Sequence, residues 1–267
     1  MQFFWRFLFF LCVGFFLSPV AHAITLDWDT VTWTAGTLSN SYDVDPTKAG
    51  NDITVTVSGN TAQLQRELVS PYPFTPAVTK DFEGGLGTPQ NTLCLAVDFT
   101  DKTQSVTVTV NFSSLYTSGV KNVSFALFDI DLSNVSGNDY QDLLSAITAT
   151  SIDGTTLIAP TITTSATNTL SGTGLTQVVN GISSNTDLGT GSGGGNVTID
   201  FGGAAIKSFT FTYGSGSNPG ADPTYQHVGI HDISFTPVPE INPGWTAVGS
   251  CLLAFALILR HSAKFRK

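Results

Sequence analysis

Two carboxylates, Asp129 and Asp131, end the most hydrophobic segment of the chain, Asn122 to Asp131. Carboxylate oxygens are hard ligands of the kind that Ca²⁺ binds in number. A dedicated calcium loop has a regular ligand spacing, and the residues around these two aspartates do not show it. The alternative to the calcium hypothesis is that the two side chains cap turns at the end of a strand or face water.

Residue types that carry out catalysis are sparse. Glu67 and Glu83 are the only glutamates between the two ends of the chain, and no pattern pairs them as glycoside hydrolysis requires. Cys94 lies in an apolar run that predicts a small buried hydrophobe rather than a catalytic thiol. His227 and His231 would lie about 13 Å apart on a strand, too far for one metal ion, and are predicted to be polar surface or rim residues. The sequence predicts no enzymatic activity, with a polysaccharide-active hydrolase or lyase as the weaker alternative.

Exposed aromatic side chains are the other candidate binding groups, because the C–H face of a sugar ring packs on a π face. Tyr72 and Phe74, in a proline-rich loop, and Tyr225, after an Asp-Pro turn, are expected to be exposed. Trp28 and Trp33 are expected to belong to a strand and to the core. We predict that Tyr72 and Tyr225 stack against sugar rings. The alternative is that they belong to the core, because an aromatic residue in a β-sandwich lies in the core more often than it forms a binding platform.

The elements that must position these residues are β-strands. Apolar and polar residues alternate with period two along much of residues 24–236, as in the run Ile-Thr-Val-Thr-Val from Ile53. Asp139 to Ile147 is the one weak helix candidate. We therefore predict about ten to twelve strands in a single all-β domain, an antiparallel β-sandwich of jelly-roll type.

Turn residues refine this prediction. Gly59-Asn60 is expected to turn the strand 52–58 back onto residues 61–64, because both residues tolerate positive φ. Asp153-Gly154 predicts a second hairpin. Residues 71–89 contain four prolines and a Gly-Gly pair, which predicts a long loop.

The last predicted strand, Val228 to Phe235, resembles the terminal strand of jelly-roll modules found in carbohydrate-binding and cell-surface proteins. In those modules an Asp between hydrophobic residues often ligates a structural Ca²⁺, and the resemblance implies that role for Asp232 alone. Asp129 and Asp131, with two aspartates near the start of the domain, would supply the further oxygen ligands. Calcium is the one cofactor that the resemblance implies.

Charge excludes one class of partner. Residues 24–237 contain 19 of the 20 acidic residues of the chain and six of its 11 basic residues, which gives this segment a net charge of −13. Nucleic acid is excluded, because phosphate binding requires a basic face. Cys94 is the only cysteine of this segment, so buried apolar strands rather than a disulfide must stabilise the domain.

The N-terminal residues 1–23 have the pattern of a secretory signal peptide. Arg6 is the only charge before a long apolar run, and Ala21 and Ala23 occupy the two positions that signal peptidase reads. An uncleaved anchor helix is the alternative, but a proline and small residues end the apolar run where cleavage is expected. The mature chain is expected to begin at Ile24, outside the cytoplasm.

The C-terminal residues 237–267 combine a short polar motif, an apolar run and a basic end. The apolar run from Trp245 to Leu259 would span about 22 Å as a helix, against a hydrocarbon core of roughly 30 Å. We predict a transmembrane helix over about 244–263 that holds the membrane only transiently. Four basic residues would stay cytoplasmic with the folded domain outside: Arg260, Lys264, Arg266 and Lys267.

The polar motif reads Val238, Pro239, Glu240, Ile241, Asn242, Pro243. With the apolar run and the basic end, it resembles the PEP-CTERM sorting signal of exopolysaccharide-producing Gram-negative bacteria. The resemblance implies recognition by an exosortase, a membrane cysteine protease-transpeptidase that cuts near the motif and delivers the protein to the cell surface or extracellular matrix. The commonest form of the signal has Pro directly after Glu, where this chain has Ile241. A single-pass tail anchor is the alternative.

These patterns predict an exported surface protein. Its expected function is that of a structural or adhesive component of an exopolysaccharide matrix or of the cell envelope. The first alternative is a carbohydrate-binding module with a specific sugar site. The second is a domain that acts only as a spacer or filler and binds no ligand.

Overall fold

The structure is a computed structural model, and it describes residues 22–64, 74–86, 90–135, 138–183 and 193–240. Residues 22–238 form one compact unit. The described ranges contain 17 strands and two 3₁₀ turns, and none of their helices has the length and apolar character needed to cross a membrane. The predicted transmembrane helix and nearly all of the predicted signal peptide lie outside these ranges.

Seven strands form one antiparallel ladder, named here in spatial order. They are Ser39–Tyr42 (β2), Ile53–Gly59 (β3), Ser105–Phe112 (β6), Ile206–Ser215 (β15), Asn138–Ser151 (β9), Val178–Gly181 (β13) and Asn168–Ser171 (β12). Two short strands, Leu132–Val135 (β8) and Leu157–Ile158 (β10), pair with the two ends of β9. We refer to this set as the first ladder.

Six strands form the second ladder, also antiparallel. In spatial order they are Ala77–Thr79 (β4), Thr92–Val97 (β5), Gln226–Ile230 (β16), Val120–Phe128 (β7), Val197–Asp200 (β14) and Thr161–Thr164 (β11). The strand Ile233–Pro237 (β17) continues along β7 beyond β16, and Ile24–Leu26 (β1) pairs with β17.

The two ladders face each other across an apolar core. Phe125 of β7 and Phe209 of β15 stack across it with ring centroids 4.7 Å apart and 17° between the ring planes. Val106, Val108 and Val110 of β6 are all buried, because successive side chains of a strand point to opposite faces. The prediction of an all-β antiparallel fold is confirmed.

One predicted hairpin is confirmed and the other is wrong. Gly154 has φ +78° in the turn between β9 and β10, which pair as expected. Gly59 also has positive φ, +90°, but Thr61–Gln63 forms a 3₁₀ turn instead of a return strand. The partners of β3 are β2 on one side and β6 on the other, so residues 61–64 do not pair with it.

Three further local predictions are wrong. The helix candidate Asp139 to Ile147 lies in β9, because pairing with β15 overrides its local apolar spacing. The predicted terminal strand Val228 to Phe235 divides at His231-Asp232 into β16 and β17. The predicted loop 71–89 contains β4, which pairs with β5. The number of strands exceeds the prediction because many of them are only two to four residues long.

Candidate functional site

Tyr225 stands directly before β16 and has 45% of its surface exposed. The loop that leads to it, residues 216–224, is attached to β9 at both ends. The Gly216 N–H donates to the carbonyl of Gln141 at 2.8 Å, and the Thr224 N–H donates to the carbonyl of Asp139 at 3.0 Å. A ring on a loop that is fixed at both ends is already ordered, which lowers the entropic cost of binding a ligand.

Two aspartates lie next to Tyr225, one along the chain and one across the strand pairing. Asp222 precedes Tyr225 by three residues. Asp98 follows β5, whose last residue, Val97, pairs with Gln226. Burial, and then the negative charge of Asp222, raise the pKa of Asp98. A sugar could pack its C–H face on the ring while its hydroxyls donate to these carboxylates.

A second exposed aromatic residue, Phe74, reaches the same end of β5 and has 38% of its surface exposed. The hydroxyl of the next residue, Thr75, donates to the carbonyl of Ala96 at 3.0 Å and accepts the Ala96 N–H at 3.2 Å. On its other side Ala96 pairs with His227 of β16. Phe74 and Tyr225 therefore flank the end of β5 from its two sides.

The outer face of β16 beneath this site is covered. His227 stacks on Phe82 with ring centroids 5.7 Å apart and 26° between the planes. Burial lowers the pKa of His227 to about 4, so its imidazole is neutral at pH 7. His227 is partly buried, because the segment around Phe82 lies over its ring, and this position is compatible with the predicted rim residue. His231 is partly exposed and packs on Phe128, with ring centroids 5.1 Å apart.

Cys94 lies on the same covered face and is fully buried, as predicted. Burial, and then the charges of Asp129 and Asp81, raise the pKa of its thiol well above the usual value. The thiolate is the nucleophilic form of cysteine, so this environment disfavours covalent chemistry at Cys94.

A buried polar network lies behind Tyr225. The Asp131 N–H donates to Oδ2 of Asp142 at 3.0 Å, and both aspartates are buried. Oδ1 of Asp142 accepts the Tyr213 hydroxyl at 2.5 Å and Nε2 of Gln226 at 3.0 Å. Burial, and then the charge of Asp131, raise the pKa of Asp142 well above its usual value. Because Gln226 follows Tyr225 directly, this network positions the strand end that carries the exposed ring.

The three aspartates of the calcium hypothesis are not brought together. Strands β16 and β7 are antiparallel, and their register places Asp232 about four residues, roughly 13 Å, along β7 from Asp129. Oδ1 of Asp232 accepts the Trp28 N–H at 3.0 Å, while Asp131 is buried in the polar network. No group of three or more His, Cys, Asp or Glu in the described ranges is arranged to hold a metal ion. The three residues do not fit one ion, and calcium binding stays an untested prediction.

The remaining predicted residues divide between the core and the ends. Trp28 and Trp33 are buried, with ring centroids 6.4 Å apart and 68° between the planes, but they follow β1 rather than lie in a strand. Tyr72 lies outside the described residues, as does Ala21, whereas Ala23 is described and exposed.

Of the sorting motif, the structure describes the first three residues. The Val238 N–H donates to the carbonyl of Gly119 at 3.0 Å, next to the end of β17. Pro239 and Glu240 are exposed. The rest of the motif and the four basic residues of the tail lie outside the described ranges.

Sequence reasoning missed Asp98 and Asp222 as partners of Tyr225. The Asp-Pro turn three residues before Tyr225 is a local signal that could have indicated Asp222. Asp98 has a weaker signal, since it is the first polar residue after a fully buried strand. Its proximity to Tyr225 depends on the pairing of β5 with β16, which are far apart in the sequence.

Comparisons with known proteins add little to this geometry. No protein-family model and no curated protein matches the chain. The chain is similar to a carbohydrate-binding module of family CBM28 specific for non-crystalline cellulose, at TM-score 0.35 and 11% identity, covering 65% of this chain and 96% of that one. It is also similar to the mannan-recognising module TmCBM27, at TM-score 0.32 and 11% identity, covering 82% and 99%.

A third similar structure is the N-terminal domain of the Streptococcus gordonii adhesin Sgo0707, at TM-score 0.31 and 10% identity, covering 80% of this chain and 56% of that one. All three neighbours share low identity and low TM-scores with this chain. Their resemblance therefore carries no argument about function. The class of protein that the strands define is an all-β antiparallel sandwich with a candidate site at the end of β5.

Proposed function

We propose that this protein is an exported, non-catalytic polysaccharide-binding protein of the cell surface or extracellular matrix, built on a jelly-roll-like sandwich. The observation that carries the proposal is the exposed Tyr225 ring at the end of a fixed loop, with Asp98 opposite it across the β5–β16 pairing and Asp222 three residues before it. The ring supplies a stacking surface for the apolar face of a sugar, and the two carboxylates supply acceptors for its hydroxyls.

A polysaccharide-active hydrolase is the second candidate, and one observation favours it. Glycoside hydrolases use two carboxyl groups, one of which has a raised pKa and acts as the acid. The pKa of Asp98 is raised by burial and then by the charge of Asp222, which is the direction that an acid catalyst requires. Binding without turnover separates the two candidates, because a hydrolase releases reducing ends from the polymer that it binds.

Delivery to the surface is the second part of the proposal. It rests on the motif that begins with Val238 and on the apolar and basic residues that follow it. In this proposal an exosortase and the membrane are transient partners, and the sandwich is the cargo. A matrix or envelope location would give an acidic, disulfide-free domain continuous access to polysaccharide.

Affinity electrophoresis of the mature protein in gels containing soluble polysaccharides, including the exopolysaccharide of the host, tests the binding. Tyr225→Ala should weaken retardation at least about fivefold, since stacking of this kind contributes about 1 kcal/mol beyond its buried area. Tyr225→Phe should keep most of it, because the ring remains. Leu175→Ala is the matched control, an equally exposed apolar residue on a different loop.

Two results would contradict the proposal. If the parent protein and Tyr225→Ala are retarded equally in every polysaccharide, Tyr225 is not part of a polysaccharide-binding site. If the parent protein releases reducing ends and Asp98→Asn abolishes that release, the protein is a hydrolase and not a non-catalytic binding protein.

A further inference from the structure

The outer side of the first ladder is built from hydroxyl-bearing and amide side chains. The cross-strand register aligns one row across five strands: Ser39, Thr56, Thr109, Thr210 and Thr148. The neighbouring row, by the same register, is Ser41, Thr54, Asn111, Ser208 and Thr150. We call these two rows the hydroxyl face. In four of the five strands the residue between the two rows is buried in the core (Val55, Val110, Phe209 and Ala149), so the face lies opposite the core.

The composition of the hydroxyl face differs from that of the chain. Neither row contains a charged or aromatic residue, although the chain has 20 acidic and 11 basic residues. An acidic polymer would be repelled by the net charge of −9 and would find no compensating cation on this face. The surface is therefore suited to a ligand that is polar and uncharged.

The hydroxyls of this face are already ordered. Ser41 and Thr54 share a hydrogen bond of 2.7 Å across β2 and β3, and the Thr210 hydroxyl donates to the carbonyl of Val108 at 2.9 Å. Threonine is also stiff at χ1 because its Cβ is branched. The Ser41–Thr54 pair uses one proton between its members and keeps one proton and several lone pairs for a ligand, whereas the Thr210 hydroxyl offers a ligand only its lone pairs. Groups that are ordered before binding lose little entropy on binding.

The spacing of these groups favours a repetitive ligand. Neighbouring strands lie about 4.8 Å apart and alternate residues about 6.7 Å apart, so five strands form a grid about 19 Å wide. A single neutral hydrogen bond adds little in water, because it replaces a bond to water. Many such bonds to one rigid partner can add up when the partner repeats its hydroxyls.

We propose that the hydroxyl face is a second carbohydrate contact surface, which adheres to neutral, insoluble polysaccharide through many weak hydrogen bonds. This inference takes only the class of ligand, a carbohydrate, from the proposed function. The two surfaces are separate, since Tyr225 and the hydroxyl face lie on different ladders. The Tyr225 site takes individual sugar units of soluble chains, whereas the hydroxyl face takes the surface of packed chains.

Depletion of the mature protein from solution by microcrystalline cellulose, chitin and insoluble β-1,3-glucan tests this inference. The parent protein should partition onto at least one of these polymers. Thr109→Val with Thr210→Val removes two paired hydroxyls with little change of shape and should lower the partition coefficient at least about fivefold, since several weak bonds are lost together. Asn111→Asp adds a charge at constant size and should also lower the partition coefficient. This single variant tests the same face if the double variant misfolds.

The matched control is Thr163→Val with Thr198→Val, a cross-strand threonine pair of β11 and β14 on the second ladder. It should bind like the parent protein. Absence of depletion by all three polymers, or equal depletion by parent and face variants, would overturn the inference. A parent protein that sediments as a dimer, becomes a monomer in the face variants and ignores the polymers would assign the face to a second copy of the chain instead.

The two proposals fail separately. Tyr225→Ala should lose retardation by soluble polysaccharide and keep its partition onto the insoluble polymers. Loss of both activities in Tyr225→Ala would overturn the hydroxyl face as an independent surface. Failure of the Tyr225 experiment alone leaves the depletion result for the face intact.

Discussion

The Tyr213 hydroxyl donates a 2.5 Å hydrogen bond to Oδ1 of Asp142 in the interior of the sandwich. The same hydroxyl lies 2.8 Å from the carbonyl of His227, so it connects β9 with β16. Gln226 also donates to Asp142, and its Oε1 accepts the Ser215 hydroxyl. The strand end that carries the candidate site is thus tied to the core through one buried carboxyl group.

The stability of the protein should fall with rising pH through the folded-state pKa of Asp142. Burial, and then the charge of Asp131, raise this pKa above the unfolded value of about 3.9, so the folded state binds more protons between the two values. The free energy of unfolding then decreases as pH rises through that window. Urea unfolding at stepped pH measures it, and Asp142→Asn should flatten this part of the profile. Parallel profiles for parent and variant would contradict the assignment.

His227 should produce a slope of the opposite sign. Burial lowers its pKa to about 4, below the unfolded value of about 6.5, so the unfolded state binds more protons between these values. The contribution is fully present above pH 6.5 and is lost as pH falls toward 4, at most about 3 kcal/mol. His227→Gln should remove this acid-side loss, and an imidazole titration followed by NMR should have its midpoint near 4. A midpoint near 6.5 would contradict the burial of the ring.

Gly181 should not tolerate a side chain. A Cβ at this position would lie 1.9 Å from the backbone oxygen of Asp131, which cannot move without disturbing the buried network. Gly181→Ala should therefore lower the free energy of unfolding by about 3 kcal/mol or more. Gly203→Ala is the control, because a Cβ there meets no atom within 4 Å, and its effect should be close to zero. Equal stabilities of the two variants would contradict the close approach at Gly181.

The C-terminal sorting proposal predicts two forms of the protein in the host. Intact mass should identify a released species that begins at Ile24 and ends between Pro237 and Pro243, together with a full-length membrane intermediate. Glu240→Ala should reduce the released form, because the change removes the charge of the motif. A chain found only as the full-length membrane form would instead support a permanent tail anchor.

Local residue patterns determined the strands and one of the turns. The alternation of valines in β6 placed Val106, Val108 and Val110 on one face, because the period of a strand is two. Asp153-Gly154 determined a hairpin, because its strands are adjacent in the chain and need only a turn that accepts positive φ. The burial of Cys94 followed in the same way from its apolar neighbours.

The tertiary structure decided which strands meet, and with them the candidate site. Asp98 and Tyr225 become neighbours because β5 pairs with β16, and His227 becomes partly buried because the segment around Phe82 lies over β16. Pairing between distant strands is selected by the total apolar surface that the whole chain buries, a quantity that no local window contains. Period and turn chemistry act over a few residues, whereas a site assembled from distant strands exists only once the sheet has formed.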